Sequence, residues 1–222
     1  MFKLNRLSKR MIILLAAVSA LGPVGMQILL PALPVIKQKF YVTNDVAQLT
    51  LSLSMLAIAI GTLVYGPLSD KFGRKRVMLV GIVITIFGSI VCFVADSIML
   101  LISGRFIQAF GGAVGLVLAR AIVRDVYGPE EAARVIATLV MVMVVLPMMS
   151  PALGGELMQR FGFESVFIVI AFASAIAFVF LFLWLPETLA KPVPFEGVKS
   201  MLMTFSKLFA SRVFCGYAFC VT

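Results

Sequence analysis

Six long apolar runs, separated by short polar connectors, limit most strongly what this chain can fold into. Each run holds about 20 residues, the length that an α-helix needs to cross the hydrocarbon core of a bilayer. Of the 222 residues, 62% are apolar and 13% are charged, against about 45–50% and about 25% in soluble domains. The sequence therefore predicts an all-α membrane protein and excludes a water-soluble globular fold. The six predicted spans lie near residues 11–30, 46–68, 77–95, 98–123, 135–153 and 165–185.

A seventh apolar run, residues 213–222, occupies the last ten residues of the chain. Ten helical residues cover about 15 Å, about half of the hydrocarbon core. We interpret this run as the truncated start of a seventh helix. The connector before it, residues 186–212, has an apolar helical face with basic residues elsewhere, which is typical of a segment on the cytoplasmic surface of a membrane.

Several classes of function are disfavoured by composition. Histidine is absent, which removes histidine-based nucleophilic sites, the usual zinc sites and haem ligation by histidine. The cysteines Cys92, Cys215 and Cys220 lie in apolar runs and match neither a metal site nor a disulfide framework. We therefore predict no enzyme activity, no catalytic residues, no cofactor and no metal.

Lysine and arginine are distributed unequally between the two sides of the predicted spans. The N-terminus and the connectors after spans two, four and six hold 15 of them, whereas the opposite side holds three, Lys37, Lys39 and Arg160. The positive-inside rule then places the N-terminus in the cytoplasm. Topology and an anionic inner leaflet account for the net charge of +9, so we expect membrane lipid and no nucleic acid as a partner.

The N-terminal run allows a second interpretation. Basic residues precede it and residues 18–20 resemble a signal-peptidase site. The run continues past that site, and five more spans follow, which favours a retained first span over a cleaved signal peptide.

The chain contains an internal repeat. Residues 66–73 and 155–162 share the pattern G-x-L-x-x-[KR]-F-G, once after span two and once after span five. Repeats of three spans have opposite topology, as in many secondary transporters; the alternative is chance similarity of two amphipathic turns. The predicted organisation is a cytoplasmic N-terminus (1–10), two three-helix repeats (11–95 and 96–185), the connector (186–212) and the seventh helix (213–222).

The connector after span two carries the most specific motif. Gly66 and Gly73 allow close helix approach and a tight turn. Asp70 is the one acid among four bases and can pair with Arg74 or face a helix N-terminus. This string resembles the signature loop of the major facilitator superfamily.

Further runs resemble the bicyclomycin-resistance type of drug:proton antiporters within that superfamily, and the resemblance covers residues 11–190. It implies the N-terminal half of a transporter in the bacterial inner membrane that exports drug-like small molecules, driven by protons, through an alternating-access cavity. It also implies that Gly66, Asp70, Gly73 and Arg74 shape a cytoplasmic gate. The runs are 30–34, 48–53, 65–70, 124–127 and 185–189. The run 124–127 includes Arg124 and Asp125, which the resemblance places at the cytoplasmic end of the fourth span.

Span four contains an arginine at membrane depth. A charge there costs about 2.5–3.5 kcal/mol on insertion scales, so Arg105 is a functional candidate. Gln108, Gly112, Gly115 and Ala119 share its helical face. The alternative is a structural ion pair or a snorkelling side chain, whereas the resemblance associates an arginine here with the central cavity and proton coupling.

Spans five and one carry two further candidates. Pro147, Pro151, Gly154 and Gly155 resemble the helix 5 motif of drug exporters, although an ordinary proline-kinked helix would also contain them. In span one, Gln27 stands where relatives often carry an acid. Glutamine can hydrogen-bond a substrate but cannot exchange a proton near pH 7. We expect Gln27 to line the transport cavity together with Arg105 and Gln108.

The sequence thus favours an exporter that works by rocking of two halves, and it leaves alternatives open. Alternating access needs an opposing half, so we expect a missing C-terminal half or a second copy as a partner. Without one, the chain would be a transport-inactive half or a membrane scaffold. An importer on the same fold is a further alternative.

Overall fold

The computed structural model describes residues 8–189, and over this range the chain is helical without strands. Six helical segments are long and apolar enough to cross a membrane, which confirms the predicted all-α fold and its six spans. The connector from residue 190 onward, the seventh apolar run and residues 1–7 lie outside the described residues. The helices are α1 (Lys9–Gln27), α2 (Leu33–Phe40), α3 (Asn44–Phe72), α4 (Arg74–Phe93), α5 (Ile98–Val126), α6 (Pro129–Phe161) and α7 (Ser165–Trp184).

The first span differs from the expected single helix over residues 11–30. Helix α1 ends at Gln27, a 3₁₀ turn covers Leu30–Ala32, and α2 continues to Phe40. The reason is that Pro31 and Pro34 lack the amide hydrogens that would continue the α-helical ladder. The break therefore interrupts the α-helix within a candidate span that runs from Lys9 to Phe40.

Helix α6 runs beyond the span predicted over residues 135–153. It is helical from Pro129 to Phe161 and passes through both Pro147 and Pro151. The carbonyl of Pro147 would normally accept from the amide of residue 151, which is a proline. The Ser150 hydroxyl donates to that carbonyl instead, at 2.7 Å, so a local side chain satisfies the acceptor and the helix continues.

Helix α5 lies at the centre of the described bundle and packs against α1, α3 and α4. Its small residues permit the close approach to α1, because a Cβ atom at Gly115 would overlap with the Val18 carbonyl. Ser19 of α1 donates to the carbonyls of Leu15, at 2.8 Å, and of Gly115, at 3.3 Å. The stripe of small residues on span four is thus a helix contact.

The two copies of the repeated octapeptide end their helices in the same way. Gly73 follows α3 with φ 98°, and Gly162 follows α6 with φ 82°. Their amides donate to the carbonyls of Ser69 and Met158, which are equivalent positions in the repeat. The pairing of α3 with α5 has its counterpart in the pairing of α6 with α1, as expected if the two halves of the bundle are related copies.

Candidate functional site: a charged loop and a buried arginine

The loop between α3 and α4 lies at one end of the bundle, which we call the Gly73 end; the opposite end is called the Gly162 end. Gly73 has a left-handed φ that costs an L-residue strain. A Cβ atom there would also overlap with the Glu187 carboxylate. The expectation of a tight turn at Gly73 is therefore met, whereas Gly66 has no atom within 4 Å of an added Cβ in the described part of the chain.

Arg74, the first residue of α4, binds acids from two other helices at this end. Its Nη1 lies 2.6 Å from Asp70 Oδ1, and its Nε lies 2.9 Å from Asp125 Oδ2. Nη1 also donates to the Ser69 hydroxyl at 2.5 Å. The Arg74 side chain is only 11% exposed, whereas those of Asp70 and Asp125 are 44% and 25% exposed, so the cluster is partly shielded from water. The pairing of Asp70 with Arg74 anticipated from the sequence is present, and Asp125 extends it to α5.

Glu187, which follows α7, is a residue whose contacts the sequence did not reveal. Its Oε1 accepts from the amide of Arg74 at 2.8 Å, and from the amides of Thr188 and Leu189 at 3.1 and 3.3 Å. Helix α4 begins with three basic residues, an unfavourable charge for the positive end of a helix dipole. The Glu187 carboxylate offsets that charge. In the sequence, Glu187 belongs to the run 185–189, which resembles the family but indicates no role for this residue.

Arg105 is buried inside the bundle. It is 1% exposed, and its Nη1 donates to Gln108 Oε1. Gln108 Nε2 donates to the Ser89 hydroxyl at 2.6 Å, and Ser89 donates to the Thr85 carbonyl at 2.8 Å. This chain of hydrogen bonds runs from α5 into α4 and holds the guanidinium in one orientation.

Two nitrogens of Arg105, Nε and Nη2, have no hydrogen-bond partner among the described residues. The guanidinium borders a cavity of about 10 Å³, close to the size that holds one water molecule. No acidic residue lines it in the part of the chain that the structure describes. The lining residues are Leu21, Gly22, Gly25, Met26, Thr85, Arg105, Gln108, Ala109 and Ile170.

The other predicted cavity residue, Gln27, does not join this cavity. Its side chain is exposed at the end of α1, and its neighbour Met26 lines the cavity instead. The structure thus brings Arg105 and Gln108 together and leaves Gln27 apart from them. Arg124 is exposed, whereas its neighbour Asp125 belongs to the Arg74 cluster.

The two glycines of the α6 motif, Gly154 and Gly155, have different surroundings. Gly154 packs on the end of α1, where a Cβ atom would overlap with the Ile28 carbonyl. Gly155 has open space around it within residues 8–189. The close packing expected of both glycines is therefore present at Gly154 alone in this part of the chain.

The Gly162 end has a separate ion pair that sequence reasoning missed. Lys39 of α2 donates to Glu164 in the loop between α6 and α7, and its Nζ lies 4.6 Å from the centre of the Phe163 ring. Burial opposes ionisation of Glu164, but the hydrogen bond and charge of Lys39 outweigh it and hold the pKa of the carboxyl below its usual value. The pair joins the end of α2 to the loop between α6 and α7.

With this geometry established, comparison with known proteins gives the family. Residues 15–222 match the Major Facilitator Superfamily, and the chain belongs to that family of transporters. It is 32% identical to the uncharacterized MFS-type transporter YdgK of Bacillus subtilis over 94% of this chain and 52% of the relative. It is 29% identical to the bicyclomycin resistance protein homolog of Haemophilus influenzae, over 94% of this chain and 52% of that protein. The predicted resemblance to the bicyclomycin-resistance type is thereby confirmed.

Solved structures agree on the fold. The human organic anion transporter MFSD10 superposes with a TM-score of 0.69 at 22% identity, over 84% of this chain and 50% of that one. The chain spans about half the length of the curated relatives it matches. The predicted six-helix half of a major facilitator fold is confirmed.

Proposed function

We propose that this chain forms one half of an alternating-access exporter for drug-like small molecules. The observation that carries the proposal is the Arg74 cluster, in which one guanidinium binds acids from α3 and α5 while its own amide binds Glu187 after α7. Three segments are thereby held together at the loop that carries the family signature. Such a rigid unit can rock as a body, which is what alternating access requires.

The Gly73 end faces the cytoplasm in this proposal. The support is the excess of lysine and arginine on that side, and the bacterial source of the relatives favours the inner membrane. Gly66, Asp70, Gly73 and Arg74 then form the cytoplasmic gate. Arg124 and Asp125 lie at the same end, at the last turn of α5.

A second six-helix unit completes the cavity. Helices α3 and α6 are the least buried of the six spans, and Gly66 and Gly155, at equivalent repeat positions, are both uncovered. These two faces suit a close helix contact with a further segment or with a second copy of the chain. Gln27, exposed at the end of α1, is available to hydrogen-bond a substrate.

Proton coupling is proposed through Arg105. The buried guanidinium has two free N–H directions, and no acid lines its cavity. The group that exchanges the proton is therefore expected on the second unit or on the substrate. A carboxylate that approaches Arg105 would be held ionised and would release its proton, whereas its withdrawal would favour protonation.

Drug accumulation in cells tests the proposal. Cells that lack their major efflux pumps, and that express the chain with its second unit, should accumulate less of a fluorescent drug than control cells. Asp70→Asn and Arg105→Ala should abolish most of the difference, while Arg134→Gln, an exposed base on α6, should not. Unchanged efflux in both Asp70→Asn and Arg105→Ala would overturn the assigned roles, and increased accumulation would indicate an importer.

A further inference from the structure

A shallow surface pocket of about 440 Å³ lies at the Gly73 end, where the start of α1 meets the end of α7. Four residues line it, Ser8, Lys9, Arg10 and Trp184. Neither the gate loop nor the Arg105 cavity includes any of them. We propose that this pocket binds the headgroup of an anionic phospholipid.

Within the described residues, the charge of the pocket is uncompensated. Lys9 and Arg10 are exposed, and neither has a salt bridge or a side-chain hydrogen bond to another residue in the range 8–189. The nearby base Lys75, in contrast, is already engaged, because its Nζ donates to the Phe182 carbonyl at 2.9 Å. Two free cations at the start of a membrane span are complementary to an anionic headgroup.

The residues below the two bases are apolar. Ile13, one turn farther along α1, is 67% exposed. On α7 the Trp184 ring contacts the Phe180 ring, with centroids 4.7 Å apart, and both side chains are partly exposed. The protein surface around the pocket thus changes from basic to aromatic to aliphatic over about one helical turn. That gradient matches a phospholipid, whose phosphate is joined to acyl chains, and does not match a free inorganic anion.

Trp184 supports the same assignment by its position. Tryptophan is enriched where a membrane meets water, because its ring is apolar and its N–H can bond to headgroups. Here the ring lies at the last residue of the last described span, beside the first bases of the first span. The lipid would therefore join the two ends of the six-helix unit.

The experiment uses Trp184 itself, the one tryptophan of the chain. The full chain is reconstituted in phosphatidylcholine vesicles that contain phosphatidylglycerol, and one lipid at a time carries brominated acyl chains that quench tryptophan. At equal mole fraction, brominated phosphatidylglycerol should quench more strongly than brominated phosphatidylcholine. Each free base is expected to raise the relative binding constant about fivefold.

Lys9→Gln combined with Arg10→Gln should reduce that relative constant to about one. The matched control combines Arg76→Gln with Arg134→Gln, two exposed bases at the same end that lie outside the pocket. It removes the same charge and should leave the preference intact. Equal quenching by the two lipids in the unaltered chain would overturn the proposal, as would an unchanged preference in the Lys9 and Arg10 variant.

A salt titration of the unaltered chain keeps the proposal testable if the double variant fails to insert. The preference for phosphatidylglycerol should fall as the ionic strength rises, because the pocket is exposed and its charges are screened. A preference that does not change with salt would contradict a site built on Lys9 and Arg10.

Discussion

The two copies of the repeated octapeptide have the same backbone and different chemistry. In both, a helix ends at a glycine with positive φ, Gly73 in the first copy and Gly162 in the second. Directly after the first copy, Arg74 binds Asp70 of that copy and Asp125 of α5, and it is largely buried. In the second, Arg160 pairs with Glu156 on the exposed surface of the same helix.

Both copies have the helix end, whereas the charge cluster lies beside the first copy. The helix end depends on a glycine and on local hydrogen bonds, so it is present wherever the octapeptide is present. The charge cluster depends on side chains from α5 and from the segment after α7. Those partners are near the first copy, which is why we propose the gate at the Gly73 end.

The largest contrast is expected between Arg74→Ala and Arg160→Ala. The first change leaves two partly exposed acids without their shared cation and should cost about 2 kcal/mol of unfolding free energy. The second removes an exposed pair within one helix and should cost less than about 1 kcal/mol. Unfolding in mixed detergent micelles, followed by circular dichroism, measures both. Equal costs would show that the two loops do not differ as described.

A smaller contrast is expected between Gly73→Ala and Gly162→Ala. Both introduce strain at positive φ, of about 1–2 kcal/mol. At Gly73 the new methyl group also displaces Glu187, whereas at Gly162 it meets only Oε2 of Glu164, a side-chain tip, at 2.9 Å. The same unfolding assay should therefore rank Gly73→Ala as the more destabilising change, and the reverse order would contradict the role of Glu187.

Glu187→Gln should have a still smaller effect on stability. The amide keeps a hydrogen-bond acceptor at the start of α4 but removes the negative charge, which is worth about 0.3–1 kcal/mol at a helix N-terminus. Glu187→Ala removes both and should cost more than Glu187→Gln. If the two variants unfold alike, charge is not what the carboxylate contributes.

The smallest effect concerns pH at the Gly162 end. The folded-state pKa of Glu164 lies below its ordinary value of 4.5, so the stabilisation from its pair with Lys39 is present above about pH 4.5 and is lost as the pH falls through the lowered pKa. Melting temperatures of the unaltered chain and of Glu164→Gln should converge as the medium becomes acidic. A gap that is independent of pH would exclude the ion pair as its cause.

The spans and the turn at Gly73 could be predicted from the sequence because both depend on local properties. Apolar runs of bilayer length predict helices, and a glycine after Phe72 or Phe161 predicts a helix end. Hydropathy alone did not reveal the break after Gln27, because Pro31 and Pro34 interrupt the α-helical ladder within a candidate span that continues to Phe40. Hydropathy could not show that Gln27 lies outside the small internal cavity beside Arg105, which its neighbour Met26 lines; its place in the transport cavity stays a prediction.

The sequence by itself determined that this chain is a six-span membrane protein with a repeated helix end and a charged residue at membrane depth, since length, hydropathy and glycine act through neighbouring residues. Only the tertiary structure decided the partners of those features. Arg74 meets Asp125 across 51 positions and Glu187 across 113, and Arg105 reaches Ser89 through Gln108. Such contacts follow from how the helices pack, because packing sets which distant side chains share one low-dielectric space.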